Sequence, residues 1–193
     1  LGDATATGAD EIGRAFQKVG GSANALKVDF DKVSSWIATI SAKTREEAET
    51  VGNSIKSLMA RYQQLKERGY DQEDGTQVNQ VAKALSSAGV KIIDQQTGEF
   101  RNMGIVMDEL GGKWDSLTNR QKAYIATNFA GVHQSSRFLN LMESYKESMT
   151  LYEGALNSAG VSQTKYNLWL QGTEAHMNKL QSTAEGLWSH LFD

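Results

Sequence analysis

The sequence has neither cysteine nor proline among its 193 residues. The lack of cysteine excludes a disulfide scaffold, a cysteine-ligated zinc site and a cysteine nucleophile. Average usage would give about ten prolines in a chain of this length. Because proline breaks helix interiors, its absence favours long helices over a loop-rich or all-β domain.

The formal charge of -3 gives no general attraction to nucleic acid. No uninterrupted apolar run approaches the roughly 20 residues that span a bilayer.

The dominant positive signal is helical periodicity, which predicts a mainly α fold. Hydrophobic residues recur at spacings of three and four along most of the chain, and Trp36 and Trp114 belong to such stripes. We therefore expect both tryptophans in the core of a multi-helix domain.

Several local signals predict where helices begin and end. Thr44 and Thr118 each open a capping box, in which a threonine hydroxyl and a side chain three residues later satisfy backbone N–H groups. Gly69 predicts a helix end. We expect Gly20-Gly21 to weaken or end the first helix and Gly111-Gly112 to break a later one, because glycine is a poor helix former.

One short stretch has a β pattern. Residues 90–101 alternate weakly between apolar and polar side chains, and Gly98 supplies a turn. The pattern predicts a small β-hairpin, which must lean on helices because two isolated strands are marginally stable.

The last part of the chain carries a heptad pattern, which is typical of a coiled coil. It predicts two domains: a helical core domain with the hairpin at 1–161, and a long coiled-coil-like helix at 162–193. Since the chain begins at Leu1 and ends inside this pattern, we expect a fragment of a longer protein in which the helix continues. The apolar heptad positions are Tyr166, Leu170, Thr173, Met177, Leu180, Ala184, Leu187 and Leu191.

The heptad pattern also supplies the candidate site residues. Trp169 and Trp188 lie beside the apolar positions and are candidate anchors for a partner, or they pack back onto preceding helices. The candidate helix-association seam consists of Leu170, Met177, Leu180, Ala184, Leu187 and Leu191.

Candidate catalytic groups are sparse. Glu46, Glu47 and Glu49 could imitate the carboxylate pair of a glycosidase, but their place at a predicted helix start favours capping and dipole stabilisation. The three histidines are dispersed and fit no zinc motif. We therefore expect no catalytic residue, no metal site and no cofactor, and hence no enzyme.

A local group of basic residues suggests a weak alternative. Together with the nearby Tyr124 and Phe129, it could form a nucleic-acid groove, although an ordinary solvated helix face has the same pattern. Since the chain is acidic overall, the solvated face is the preferred interpretation, and no specific nucleic-acid partner is expected. The basic residues are Lys113, Arg120, Lys122 and Arg137.

Taken in order, these motifs resemble the core region of tape-measure proteins from long-tailed bacteriophages and prophages. The resemblance covers essentially the whole chain, with one departure in a polar insertion at residues 69–76. The upstream helices, with "VGNSIKSLMARY", are also similar to the family. The motif that carries the resemblance starts with the turn at Ala88-Gly89-Val90 and continues through a hairpin of the form "xIxDxxGxF". The matching residues are Ile92, Asp94, Gly98 and Phe100, then Leu110, Trp114, Leu117, Gln121 and Lys122, then Ala130, Gly131, Gln134, Arg137, Phe138, Leu139 and Leu141.

The resemblance implies a structural role in a phage tail. A tape-measure protein occupies the tail-tube lumen, sets the tube length, helps to organise tail assembly and is released during genome delivery. The implied partners are other copies, through the terminal helix, and tail-tube, tail-tip and tail-assembly chaperone proteins. The implied locations are the virion tail and, during assembly, the host cytoplasm.

Two other functions stay open at this point. The chain could be a wall-degrading accessory domain of a tail protein, which would need a catalytic carboxylate in a cleft. It could also be membrane-active, because "LWSHLF" near the end of the chain could lie in a membrane interface. Any such membrane contact is confined to infection.

Overall fold

A computed structural model of the chain describes residues 9–157, with side chains from Glu11 onward. This part of the chain forms eight α-helices and contains no β-strand, so the prediction of a mainly α fold is confirmed. The helices are α1 (Ala9–Ala25), α2 (Phe30–Thr44), α3 (Ala48–Arg68), α4 (Val78–Ser86), α5 (Met103–Lys113), α6 (Asn119–Ile125), α7 (Ser135–Glu143) and α8 (Tyr145–Asn157).

Two shorter helical segments complete this region. A 3-10 turn, Trp114–Ser116, follows α5, and a π-helix, Ala126–Ala130, follows α6. The described residues up to Gly154 belong to one compact unit. The predicted 162–193 helix lies outside the described residues, and the predicted boundary between residues 161 and 162 stays a prediction.

One part of the core forms where α1, α2 and α3 meet. A Cβ atom added to Gly52 of α3 would lie 2.6 Å from the carbonyl oxygen of Ala15 in α1, so the two backbones touch at this point. Helix α2 is covered along most of its length, and Trp36 in α2 is fully buried. Trp114 is 1% exposed, which confirms that both tryptophans belong to the core.

The predicted helix start at Thr118 and the predicted helix end at Gly69 are confirmed. Thr118 forms the expected capping box at the start of α6, and Gly69 ends α3 in the left-handed conformation. The prediction at Thr44 is wrong, because this residue is the last of α2. Its hydroxyl donates to the carbonyl of Ile40 one turn earlier, and α3 begins three residues after the predicted start, with Glu47 as its N-cap.

Neither pair of glycines ends its helix, so the predicted break in α5 is wrong. Helix α1 continues through Gly20-Gly21, and α5 continues through Gly111-Gly112. In each pair one glycine faces an aromatic ring: an added Cβ at Gly20 would come within 2.9 Å of the Phe16 ring, and one at Gly111 within 2.0 Å of the Tyr145 ring. Gly20 and Gly111 therefore serve side-chain packing, which outweighs their poor helix propensity.

The predicted hairpin is reduced to a turn. Residues 90–101 form a single antiparallel bridge between Ile93 and Phe100 and no strand. Two backbone hydrogen bonds flank the turn, from Asp94 N to Glu99 O at 2.8 Å and from Arg101 N to Ile92 O at 2.9 Å. The ladder stops there because the next residue, Asn102, is the N-cap of α5.

Candidate functional site

Two of the three glutamates considered as catalytic groups form ion pairs within the fold, and the third is the N-cap residue of a helix. Arg137 donates through Nη2 and Nε to the two carboxylate oxygens of Glu46 at 2.6 and 2.8 Å. These hydrogen bonds, together with the charge of Arg137, lower the pKa of Glu46, although partial burial acts in the opposite direction. Glu49 pairs with Lys18 at 2.9 Å, and Glu47 is the N-cap of α3. Glu46 therefore lacks the raised pKa that suits a general acid at neutral pH.

The basic residues singled out in the sequence do not form one positive surface. Lys113 donates to the carbonyl of Gly89 at 2.6 Å. Lys122 pairs with Glu143 at 3.0 Å, and the arginine of the group is bound to Glu46 as described above. Arg120 is exposed. Since three of the four cations are committed to contacts within the chain, this arrangement gives little support to a nucleic-acid groove.

The motif "IDQQTGEF" builds a tight turn around Asp94. Its Oδ1 accepts hydrogen bonds from the backbone N–H groups of Gln96, at 2.8 Å, and Thr97, at 3.1 Å. These bonds favour the charged carboxylate and lower the pKa of Asp94. Gly98 follows with a φ of +72°, which explains why glycine suits this position.

The polar insertion repeats the same turn between α3 and α4. Asp71 Oδ1 accepts from the backbone N–H groups of Glu73, at 2.9 Å, and Asp74, at 3.1 Å. Gly75, with a φ of +69°, occupies the place that Gly98 has in the later turn. The sequence pattern D-Q-x-x-G, present in "DQEDG" and "DQQTG", marks both turns.

The insertion is fastened to the rest of the domain by Arg61 of α3. Its side chain is 7% exposed, and Nη1 lies 3.1 Å from Asp71 Oδ1 and 2.9 Å from Asp74 Oδ2. Nη2 donates to the carbonyl of Asn128 in the π-helix at 3.2 Å. Gly131, with a φ of +79°, lies directly against this guanidinium, because an added Cβ would come within 3.1 Å of Nη1. This Arg61 cluster thus joins α3, the insertion and the π-helix.

The other residues of the tape-measure motif have equally structural positions. Gln121 closes the capping box of α6, and Arg137 fastens α7 to the segment before α3 through Glu46. The buried members of the motif are Ala88, Val90, Ile92, Leu110, Trp114, Ala130, Gly131, Phe138 and Leu141. The motif therefore specifies turns, caps and core contacts.

A small pocket of about 180 Å³ lies above the Arg61 cluster. Two side chains at its rim are well exposed: Val132 is 65% exposed, and the His133 side chain 77%. The nearest charged partner of His133 is Glu73, at 3.7 Å. The pocket is lined by Ser57, Arg61, Glu73, Asp74, Ala130, Gly131, Val132, His133 and Gln134.

The candidate helix-association seam and the two partner-anchor candidates, Trp169 and Trp188, lie outside the described residues 9–157. Of the residues that interleave with the basic group, Tyr124 is 43% exposed and Phe129 is 2% exposed, so the second is a core residue.

Two other kinds of site are absent from the described part of the chain. Residues 9–157 contain no cluster of three or more histidine, cysteine or acidic side chains arranged to bind a metal ion. Within the same residues, no helix is both long and apolar enough to cross a membrane.

Comparison with known proteins places the chain in a family. No solved structure matches it. The profile of the family described as phage-related minor tail protein matches residues 1–131. This region contains both D-Q-x-x-G turns, the glycine pair of α5 and the motif as far as Gly131. The chain therefore belongs to the phage-related minor tail protein family, which is typical of tape-measure proteins.

Proposed function

We propose that the chain is a segment of a tape-measure protein, which helps to set the length of the tail tube, organises tail assembly and leaves the tail during genome delivery. The observation that carries the proposal is the family match over residues 1–131. The residues that resemble the tape-measure motif form the turns, caps and core of the domain, as expected for a motif that specifies a scaffold.

Within this proposal the two parts of the chain have different tasks. The helical domain serves as a folded organising unit, and the segment 162–193 contributes to the ruler. A helix suits a ruler because it rises a fixed 1.5 Å per residue. The partners are other copies of the chain and the tail-tube, tail-tip and chaperone proteins, with the virion tail as the final location.

We propose further that the chain has no enzymatic role of its own. The support is that Glu46 is held ionised by Arg137, which leaves it unsuited to donate a proton. A zymogram of the purified chain on bacterial cell wall should stay blank, whereas a cleared band would favour the wall-degrading alternative.

Self-association through the seam has a direct test. Leu180→Asp places a charge at a predicted apolar heptad position, so it should weaken association of the chain by several kcal/mol. Sedimentation equilibrium measures the change, and Lys179→Asp, outside the apolar heptad positions, is the matched control. Unchanged association of the Leu180 variant would remove the seam from the proposal.

A further inference from the structure

Helix α8 is attached to the domain in a different way from the other long helices. We call its residues 145–154 the α8 strap. Tyr145, which is 3% exposed, is the one large side chain that is fully buried within the strap, and its ring occupies the socket above Gly111. Ser148 is also buried. By contrast, α3 buries a continuous apolar stripe that includes Ile55, Met59 and Leu65.

Three specific contacts between the strap and α2 involve polar or charged groups. Ser148 and Ser35 place their hydroxyl oxygens 3.1 Å apart. The Lys32 ammonium lies 4.8 Å from the centre of the Tyr152 ring. Glu147 pairs with Lys43 at 2.8 Å. Along the strap from Glu147 to Tyr152, the partner residues on α2 fall in number from Lys43 to Lys32, so the strap lies antiparallel to α2.

The contact with α5 follows the same principle. The hydroxyl of Tyr145 donates to Asp108 Oδ1 at 2.7 Å, and Lys32 forms an ion pair with the other oxygen of the same carboxylate. Lys32 and Asp108 would therefore remain paired with each other if the strap left. Ser35, Lys32 and Asp108, which contact the strap, are polar and can be solvated at lower cost than an apolar core face.

A break between two helices marks where the strap begins. Ser144 is the single residue between α7 and α8, and its φ of -113° and ψ of 21° interrupt the helix there. At its other end the strap continues without a break to Asn157, the last residue of α8. The strap therefore has a preformed bend at its N-terminal end.

From these contacts we propose that the α8 strap opens as a unit about Ser144 while the rest of the domain stays folded. Opening withdraws the Tyr145 ring from its socket and exposes a groove between α2 and α5, lined by Lys32, Asp108 and Gly111. This conformational device is independent of the proposed tail function.

Hydrogen exchange followed by mass spectrometry tests the proposal on the complete 193-residue chain. Amides of residues 146–154 should exchange at least about tenfold faster than those of α3, because local opening costs less than global unfolding. Equal rates in the two segments would show that α8 opens only when the whole domain unfolds, and would overturn the proposal.

A disulfide staple adds a second arm. Ser35→Cys with Ser148→Cys introduces the only two cysteines of the chain, at positions whose hydroxyl oxygens are 3.1 Å apart. Oxidation should slow exchange of the strap to the α3 rate, and reduction should restore it. If oxidation leaves strap exchange fast, or if the cysteines fail to bond, the closed arrangement is wrong.

A third arm uses the socket. Gly111→Ala should accelerate exchange in the strap by a larger factor than in α3, because the clash affects only the closed state and the open state keeps the gain in helix propensity. Gly112→Ala, where an added Cβ meets nothing within 4 Å, should accelerate neither. If Gly111→Ala accelerates both segments by the same factor, the strap is not a separate unit.

Discussion

The adjacent glycines of α5 provide a stringent stability test, because the same substitution should have opposite effects at the two positions. An added Cβ at Gly111 would lie 2.0, 2.6 and 2.7 Å from Cδ1, Cγ and Cε1 of Tyr145. These distances are far inside van der Waals contact, so the ring must move. At Gly112 the added methyl group meets no atom within 4 Å.

The expected magnitudes follow from helix propensity and packing. Gly112→Ala should stabilise the domain by about 0.5–1 kcal/mol, because alanine loses less conformational entropy than glycine in a helix. Gly111→Ala has the same gain but must displace the Tyr145 ring, and overpacking of this kind costs about 1–3 kcal/mol. The lost hydrogen bond from Tyr145 to Asp108 costs about another 1 kcal/mol. We expect a net loss of about 1–3 kcal/mol.

The loss at Gly111 also has an upper limit. Opening of the strap removes the clash between the added methyl group and the Tyr145 ring. Gly111→Ala can therefore cost no more than the free energy that keeps the strap closed. Urea unfolding followed by circular dichroism measures both variants against the unchanged chain. If Gly111→Ala stabilises the chain as much as Gly112→Ala does, then the Tyr145 ring does not occupy the socket and the reasoning fails.

Two further substitutions test the charged contacts. Glu46→Gln should destabilise the chain by about 1 kcal/mol near neutral pH. Because Arg137 lowers the pKa of Glu46 below 4.5, the carboxylate's contribution to stability is complete above that value and is lost as the pH falls through the lowered pKa. A stability deficit of the variant in urea unfolding that persists in strong acid would contradict the pairing. Gly131→Ala should lower the free energy of unfolding by about 1 kcal/mol more than Gly75→Ala does. Both positions need a positive φ, but only Gly131→Ala adds a methyl group against Arg61. Equal losses in the free energy of unfolding would show that the guanidinium does not lie against Gly131.

Signals that act over a few residues could be predicted from the sequence. The capping box at Thr118 needs only Gln121, and the end of α3 needs only a glycine that tolerates a positive φ. The prediction at Thr44 fails because its hydroxyl can either cap the next helix or bond within the helix that is ending. It donates to the carbonyl of Ile40 in the helix that is ending.

Features that depend on distant residues could not be predicted. Gly111 of α5 serves as a socket for Tyr145, which is far away in the sequence, so helix propensity alone suggests a break. The Arg61 cluster joins α3 to Asp71 and to the carbonyl of Asn128, and nothing local to Arg61 indicates these partners. The insertion was the exception, because the shared pattern of "DQEDG" and "DQQTG" is visible and could have identified it as a second copy of the Asp94 turn.

The most direct test of the proposed function is tail length after an in-frame deletion of about 28 residues, or four heptads, from 162–193. If this segment is part of the ruler, electron microscopy should show tails that are shorter by roughly 40 Å, at 1.5 Å per residue. Replacing the deleted residues with an unrelated four-heptad helix should restore the length. Tails of unchanged length would contradict the ruler role of this segment.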